Sequence, residues 1–310
     1  MDVKKTPKYD LLVVTGPTAS GKTSLAAVLA MKLNGEIISA DSRQLYRHMN
    51  LGTGKDYSDY VVEGTQIPYH LIDVADPGFR FSVFEYQREF VKVLEDLRSR
   101  EKFPVVCGGS GMYIDSIVSG YQMAEVPPDP AFRESLENRS IKELTEILSS
   151  FRKLHNKTDI DTKKRAIRAI EIERYIRQVK GCQSQFPVIN PLVVGVLFSR
   201  EKRRSRISER LRRRLEKGMV DEVRQLLDQG IDPETLIYYG LEYKYITLYV
   251  TGKISYDEMY GSLETAIHQF AKRQMTWFRG MERKGITIHW IDGELPMDEK
   301  VQMILELLIG

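Results

Sequence analysis

The chain has 310 residues, 42% apolar and 29% charged, with a formal net charge of only +3. That balance belongs to a globular protein above the usual size of one compact domain, and it excludes a disordered or fibrous chain. No apolar run reaches the ~18 residues of a membrane span. Lys4, Lys5 and Lys8 ahead of residues 11–14 do not make a signal peptide, because Gly16 cuts the apolar stretch short. The two cysteines, Cys107 and Cys182, form no CxxC pair, which points to a reduced, cytoplasmic protein. The five histidines (His48, His70, His155, His268 and His289) show no zinc-binding spacing.

In chain order, a short apolar strand is predicted over residues 11–15 and a helix over 23–33. Further strands are predicted over 36–40 and 104–107. This alternation is the signature of a parallel α/β sheet. Between the first strand and helix stands Gly16-Pro17-Thr18-Ala19-Ser20-Gly21-Lys22-Thr23, which fits GxxxxGK[ST]. Glycines let backbone N–H groups close around phosphate oxygens, and the helix N-terminus adds its dipole. Lys22 supplies a mobile positive charge, and the Thr23 hydroxyl is placed to hold Mg²⁺. The motif reads phosphate and leaves open whose phosphate it is.

Asp41 falls at the end of the second strand, where open α/β sheets bind ligands; a helix N-cap or a place in a Mg²⁺ shell fits it equally. Gly108-Gly109-Ser110-Gly111 lacks the third glycine of a dinucleotide fingerprint and reads as a tight strand-to-helix turn. Ser110 would then face the ligand crevice.

The rhythm breaks at Val126-Pro127-Pro128-Asp129-Pro130. Asp129 can cap a helix that starts at Pro130, Ser140 and Glu143 form a capping box for the next, and a third helix follows Asp161 or Thr162. Strand character returns at residues 191–198. We therefore expect a helical insertion over 121–190 within a core of residues 1–120 and 191–310. From Ser205 to Phe278 the chain is mostly helical, with Gly230 and Gly252 as stops.

Charge is concentrated between Arg200 and Lys217, where ten Lys/Arg face three Glu, a local net of +7 on a nearly neutral chain. Such a stretch fits a polyanionic partner. Arg206, Arg210, Arg213 and Lys217 share one helical stripe, and Ile207, Leu211 and Leu215 share an apolar one. For Arg213 and Lys217 a solvated face is an equal reading.

The stretch from Asp41-Ser42-Arg43-Gln44 through Tyr46 to Gly52-Thr53-Gly54-Lys55 resembles the tRNA dimethylallyltransferases (tRNA isopentenyltransferases). Their pattern runs GPTASGKT, DSxQxY, GTxK and HLIDxxDP, the last matched by residues 70–77. Residues 104–114 are similar to PxxxGGTGLYI, with Ser110 in place of the usual Thr, and residues 271–279 to AKRQxTWxR. Two departures stand out. The family's GYKE is here Gly240-Leu241-Glu242-Tyr243, so RNA contacts of that loop do not transfer, and Ser110 keeps the hydroxyl without the methyl. No C-terminal zinc finger is expected.

The resemblance implies a P-loop, nucleotide-kinase-like parallel sheet with a helical insertion domain that grips tRNA. It implies attack of an adenosine N6, beside the tRNA anticodon, on dimethylallyl diphosphate, with Mg²⁺ as cofactor. In that reading Asp41 is the general base, Arg210 clamps the diphosphate and Ser110 supports catalysis. Contacts to tRNA fall to Asp41, Ser42, Arg43, Gln44, Ser110, Arg133, Lys164, Arg165, Arg168, Lys272, Arg273, Gln274 and Trp277. Each insertion cation equally fits a solvated surface, and Trp277 equally fits the core. A cytoplasmic monomer without membrane attachment is expected. The competing readings are a P-loop kinase for a small molecule or nucleotide, an isopentenyltransferase for free adenine nucleotide, and a nucleic-acid-binding NTPase.

Overall fold

The structure, a computed structural model, describes residues 8–154, 158–179 and 186–309; Lys4, Lys5, His155 and Cys182 lie outside them. The chain divides into two compact units, one of residues 1–120 and 188–310, the other Tyr121–Pro187.

The larger unit is built on a six-stranded parallel sheet. Its strands are β1 (Leu11–Thr15), β2 (Gly35–Ser39), β5 (Tyr69–His70), β6 (Phe103–Gly108), β7 (Pro191–Leu197) and β8 (His289–Asp292). They lie in the order β5-β2-β6-β1-β7-β8. The numbering leaves β3 (Val61–Val62) and β4 (Thr65–Gln66) for a separate antiparallel hairpin. Every residue of β1 is buried, as the run Leu-Leu-Val-Val requires of a strand covered on both faces.

Register puts the functional loops at one height. Thr15 at the end of β1 pairs with Gly108 of β6 and Gly195 of β7, and Ser39 of β2 pairs with Cys107. The loops that follow β1, β2 and β6 therefore leave the sheet side by side at its carboxyl edge, where open α/β sheets form their ligand crevice.

The helices of this unit are α1 (Lys22–Lys32), α2 (Val83–Ser99), α3 (Gly111–Val118), α7 (Arg200–Glu216), α8 (Met219–Asp228), α9 (Pro233–Tyr238), α10 (Leu241–Val250), α11 (Tyr256–Arg283) and α12 (Met297–Ile309). The basic helix α7 opens at Arg200, ahead of the Ser205 expected from the pattern, because the Ser199 side chain caps it by accepting from the Lys202 N–H. No helix among the described residues is long and apolar enough to cross a membrane.

The smaller unit holds α4 (Pro130–Glu137), α5 (Ile141–Phe151) and α6 (Lys163–Gln178) around its own core of Leu136, Leu144, Leu148, Ala166, Ile167 and Ile170. Its helix starts follow local chemistry. Asp129 caps α4 with Pro130 in its first turn, Ser140 and Glu143 form a reciprocal capping box on α5, and Thr162 caps α6.

Arg133 and Arg168, which the resemblance offers as RNA contacts, also have partners within this unit and keep side-chain exposures of 38% each. Both bind the carboxylate of Glu171, Arg133 through two hydrogen bonds of 2.9 and 2.8 Å, and Arg168 also reaches the Val126 carbonyl at 2.8 Å. Glu171 is only 3% exposed. Burial raises its pKa, but the bonds from Arg133, Arg168 and the Asp129 N–H outweigh that and hold it at about 2. Arg165 pairs with Asp161 at 3.1 Å, and Lys164 is exposed.

Replacing Glu171 with Ala should destabilise α4–α6 by about 2–3 kcal/mol, because two guanidinium groups lose a buried partner while keeping some access to water. Hydrogen exchange of the amides in these helices measures this. A carboxyl with a depressed pKa stabilises fully above its unfolded value near 4.5 and loses that contribution as pH falls towards 2. The wild-type and mutant unit should therefore converge in stability at the acid end.

Candidate active site

A cleft of about 800 Å³ opens at the carboxyl edge of the sheet, lined wholly by the larger unit. Residues 18–24 of the phosphate loop line one part of it. Asp41 and its neighbours, the Gly52–Gly54 loop, the Gly108–Gly111 turn, α7 and α11 line the rest.

The loop after β1 turns into α1 through Gly21, in the left-handed conformation at φ 75°. The first N–H groups of α1 have no partner within the helix, so they and the helix dipole favour an anion there. Lys22 reaches back toward the Pro17 carbonyl at 3.5 Å. Burial lowers its pKa, while the charge of Asp41 pulls it back up. Burial pushes the Cys107 thiol up to about 11, so it is neutral at physiological pH.

Asp41 leaves β2 into a short turn in which its Oδ1 accepts from the Arg43 N–H at 3.0 Å. Ser110 braces this turn from the neighbouring strand. Its Oγ accepts from the Ser42 N–H at 2.8 Å and lies 3.1 Å from the Ser42 Oγ, and its own N–H donates to the Ala40 carbonyl. The Gln44 amide donates to the Gly54 carbonyl at 3.2 Å and so joins the turn to the Gly52–Gly54 loop.

Gln274, which the resemblance offers as an RNA contact, lines the cleft and is bound to two backbone groups. It is 7% exposed, its Oε1 accepts from the Thr18 N–H at 2.9 Å and its Nε2 donates to the Gly109 carbonyl at 2.9 Å. The side chain from α11 thus ties the phosphate loop to the turn after β6. Trp277, one turn further on, is packed against Gly111, where an added Cβ would lie 2.4 Å from the indole ring. It also lines the cleft, as does the exposed Arg273; the exposed Lys272 does not.

Arg210 is at the centre of the cationic side. It binds Asp56 at 2.9 Å and reaches Thr18 Oγ1 and the Gly54 carbonyl at 3.4 Å each. Arg206 donates to the Ala19 carbonyl at 2.9 Å and stacks 4.5 Å over Phe198. Arg213 and Lys217 also line the cleft.

Several lining or supporting groups were given no role by the sequence reading. Arg214 is buried in the cleft beside Arg210. Glu222 of α8 accepts from three consecutive N–H groups, Asn50, Leu51 and Gly52, at 2.9, 2.7 and 3.0 Å, and from Tyr243 Oη at 2.7 Å, which sets the path of the loop into Gly54. Lys55 of the GTxK match is fully buried between the Tyr46 carbonyl and Asp73 of the HLIDxxDP match. Glu242 sits in the first turn of α10, in the lining, with its pKa raised by burial.

A parallel sheet with a phosphate cradle and convergent loops at its carboxyl edge defines a P-loop α/β protein. Residues 44–281 match the family model described as IPP transferase. The chain is 60% identical over 301 residues to "tRNA dimethylallyltransferase 2" of Phocaeicola vulgatus, covering 97% of this chain and 98% of that one. It is 48% identical over 308 residues to "tRNA dimethylallyltransferase 2" of Pelobacter propionicus, covering 99% and 97%. Among solved structures, the full-length tRNA isopentenylpyrophosphate transferase of Bacillus halodurans superposes with a TM-score of 0.71 at 30% identity, covering 98% of this chain and 96% of that one. The chain belongs to the tRNA dimethylallyltransferase (IPP transferase) family.

Replacing Gln274 with Leu should leave the Thr18 N–H and the Gly109 carbonyl without their partner. We expect a stability loss of about 1–3 kcal/mol in denaturant unfolding. Inorganic pyrophosphate, titrated calorimetrically, should bind the variant more weakly than wild type, since the cradle is no longer held against the turn after β6.

Proposed function

We propose that this protein transfers a dimethylallyl group from dimethylallyl diphosphate to N6 of the adenosine 3′ to the tRNA anticodon, releasing pyrophosphate. One observation carries the reading: the phosphate loop, the Asp41 carboxylate and the Arg210 guanidinium line a single cleft. The relatives named tRNA dimethylallyltransferase, which span nearly the whole chain, favour it over the kinase and NTPase readings. Arg43, Arg213, Lys217 and Arg273 in the lining suit an RNA backbone entering the same opening.

An exocyclic aromatic amine is a weak nucleophile because its lone pair is conjugated into the ring. As N6 attacks C1 of the donor, its proton becomes acidic and passes to the Asp41 carboxylate. The Arg43 N–H donates to that carboxylate, and Ser110, accepting from the Ser42 N–H, steadies the turn that carries it. The C1–O bond breaks and its electron pair leaves on the diphosphate. Lys22, the amides opening α1 and Arg210 stabilise that developing charge.

Thr23 and Asp59 both line the cleft, and Asp59 accepts from Ser24 at 3.1 Å. They offer hard oxygen donors, which fit Mg²⁺ bound largely through substrate phosphates. No cluster of three or more His, Cys, Asp or Glu that can hold an ion by itself occurs among the described residues, so the diphosphate would complete the shell. Bound there, Mg²⁺ supplies further charge neutralisation for the leaving group.

Asp41→Asn should lower turnover by about 10²–10⁴ while tRNA affinity stays within a few fold, read by single-turnover kinetics and filter binding. Turnover near wild type would make Asp41 a structural residue. Transfer should also run with no ATP present, and pyrophosphate should compete with dimethylallyl diphosphate. Lys22→Ala should weaken both ligands together; a strict need for ATP would return the kinase or NTPase reading.

A further inference from the structure

Arg214 is a guanidinium that the proposed chemistry has not yet used. It is 8% exposed, and its Nε and Nη2 are buried without a hydrogen-bond partner among the described residues. Removing a guanidinium from water without satisfying its donors is costly, and such a group persists where something else completes it. Its surroundings do not. Asp56 Oδ2 lies 3.7 Å from Nη2, beyond hydrogen-bond distance, and that carboxylate is already bound to Arg210 at 2.9 Å.

The two arginines stand one turn apart on α7 and both meet the loop at Gly54. Gly54 adopts φ +76°, and a Cβ there would lie 1.7 Å from Arg214 Nη2 and 2.8 Å from Arg210 Nη2. The loop has no side chain at this point because both forks occupy the space. Two like charges stand together, Arg214 buried and the Arg210 side chain 29% exposed, facing the cleft that also holds Lys22. Burial first, and then the Arg210 charge, lower the Arg214 pKa to about 10, which leaves it a cation at physiological pH. Glu242, at the position where GYKE carries its lysine, is the other acid near Arg214, and burial disfavours its charged form.

We propose that Arg214 is a second diphosphate-binding guanidinium, which joins Lys22 and Arg210 on the phosphates of the prenyl donor. A diphosphate supplies the several acceptor oxygens that two planar forks need. The proposal rests on the reading that the cleft binds a prenyl diphosphate.

The test is calorimetric binding of inorganic pyrophosphate, with Mg²⁺ present, to wild type, Arg214→Met and Arg214→Lys. Met preserves much of the volume without the charge, and Lys keeps the charge without the fork. Pyrophosphate Kd should rise about 10- to 100-fold in Arg214→Met, with a smaller rise in Arg214→Lys. KM for dimethylallyl diphosphate should rise in parallel while KM for tRNA stays within about twofold, a change too small to count as a lost charged contact. The Tm of the unliganded Met variant should equal or exceed that of wild type, because an incompletely paired buried charge has been removed. A purely structural arginine would instead lower Tm and leave pyrophosphate affinity unchanged. That result overturns the proposal, and if the Met variant does not fold, unchanged affinity in the Lys variant overturns it equally. A wild type whose pyrophosphate binding depends on Arg214 but which transfers no prenyl group would sink the functional reading and leave standing only the contact of Arg214 with a diphosphate.

Discussion

A cradle made of backbone amides binds phosphate only while its loop is held in one shape, and here that shape depends on one side-chain amide. Gln274 accepts from Thr18 and donates to Gly109, so a residue of α11 holds the loops after β1 and β6 at their working separation. Thr18 and Gln274 are 256 positions apart in the chain. The neighbouring contacts follow from that anchor. Trp277 packs onto Gly111 one turn beyond, and Ser110, in the same turn, fixes the backbone that presents Asp41.

The electrostatics of the cleft are those of a site built for an anion heavier in charge than a single carboxylate. Lys22, Arg210 and Arg214 share it, and burial works against the charge on both Lys22 and Arg214. Asp56 neutralises only part of this. The carboxylates elsewhere in the supporting structure have other duties. Glu222 gathers the amides of residues 50–52, and Asp73 holds buried Lys55. Their effect is to set loop paths, which leaves the cations of the lining to face the ligand.

In the helical unit, charge read along the chain does not tell which partner a cation meets. Arg133 and Arg168 both bind Glu171, while each side chain stays 38% exposed. The same holds for Gln274 in the AKRQ segment, where a polar side chain flanked by cations serves the interior. In both cases a buried polar atom needed a partner, and the nearest long side chain supplied it.

What the sequence alone determined was local. The apolar runs became the predicted strands, Asp129, Ser140 and Thr162 capped the helices of the insertion, and the GxxxxGK[ST] spacing formed a strand-to-helix loop. Each of these depends on residues within a few positions of one another. The edge strand β8 and helix α12 went unread, since a four-residue strand carries too short a pattern to be distinguished from loop. Arg214 left a trace: it stands seven positions after Ile207 and so falls on the apolar, core-facing stripe of α7, beside the cationic one. The pattern could show that it points inward, but not what it meets. That was decided by tertiary structure, because Asp56 and Gly54 come to Arg214, and to Arg210 one turn before it on α7, only when the sheet brings distant loops to one edge. Packing, which acts between residues far apart in sequence, leaves no periodicity along the chain.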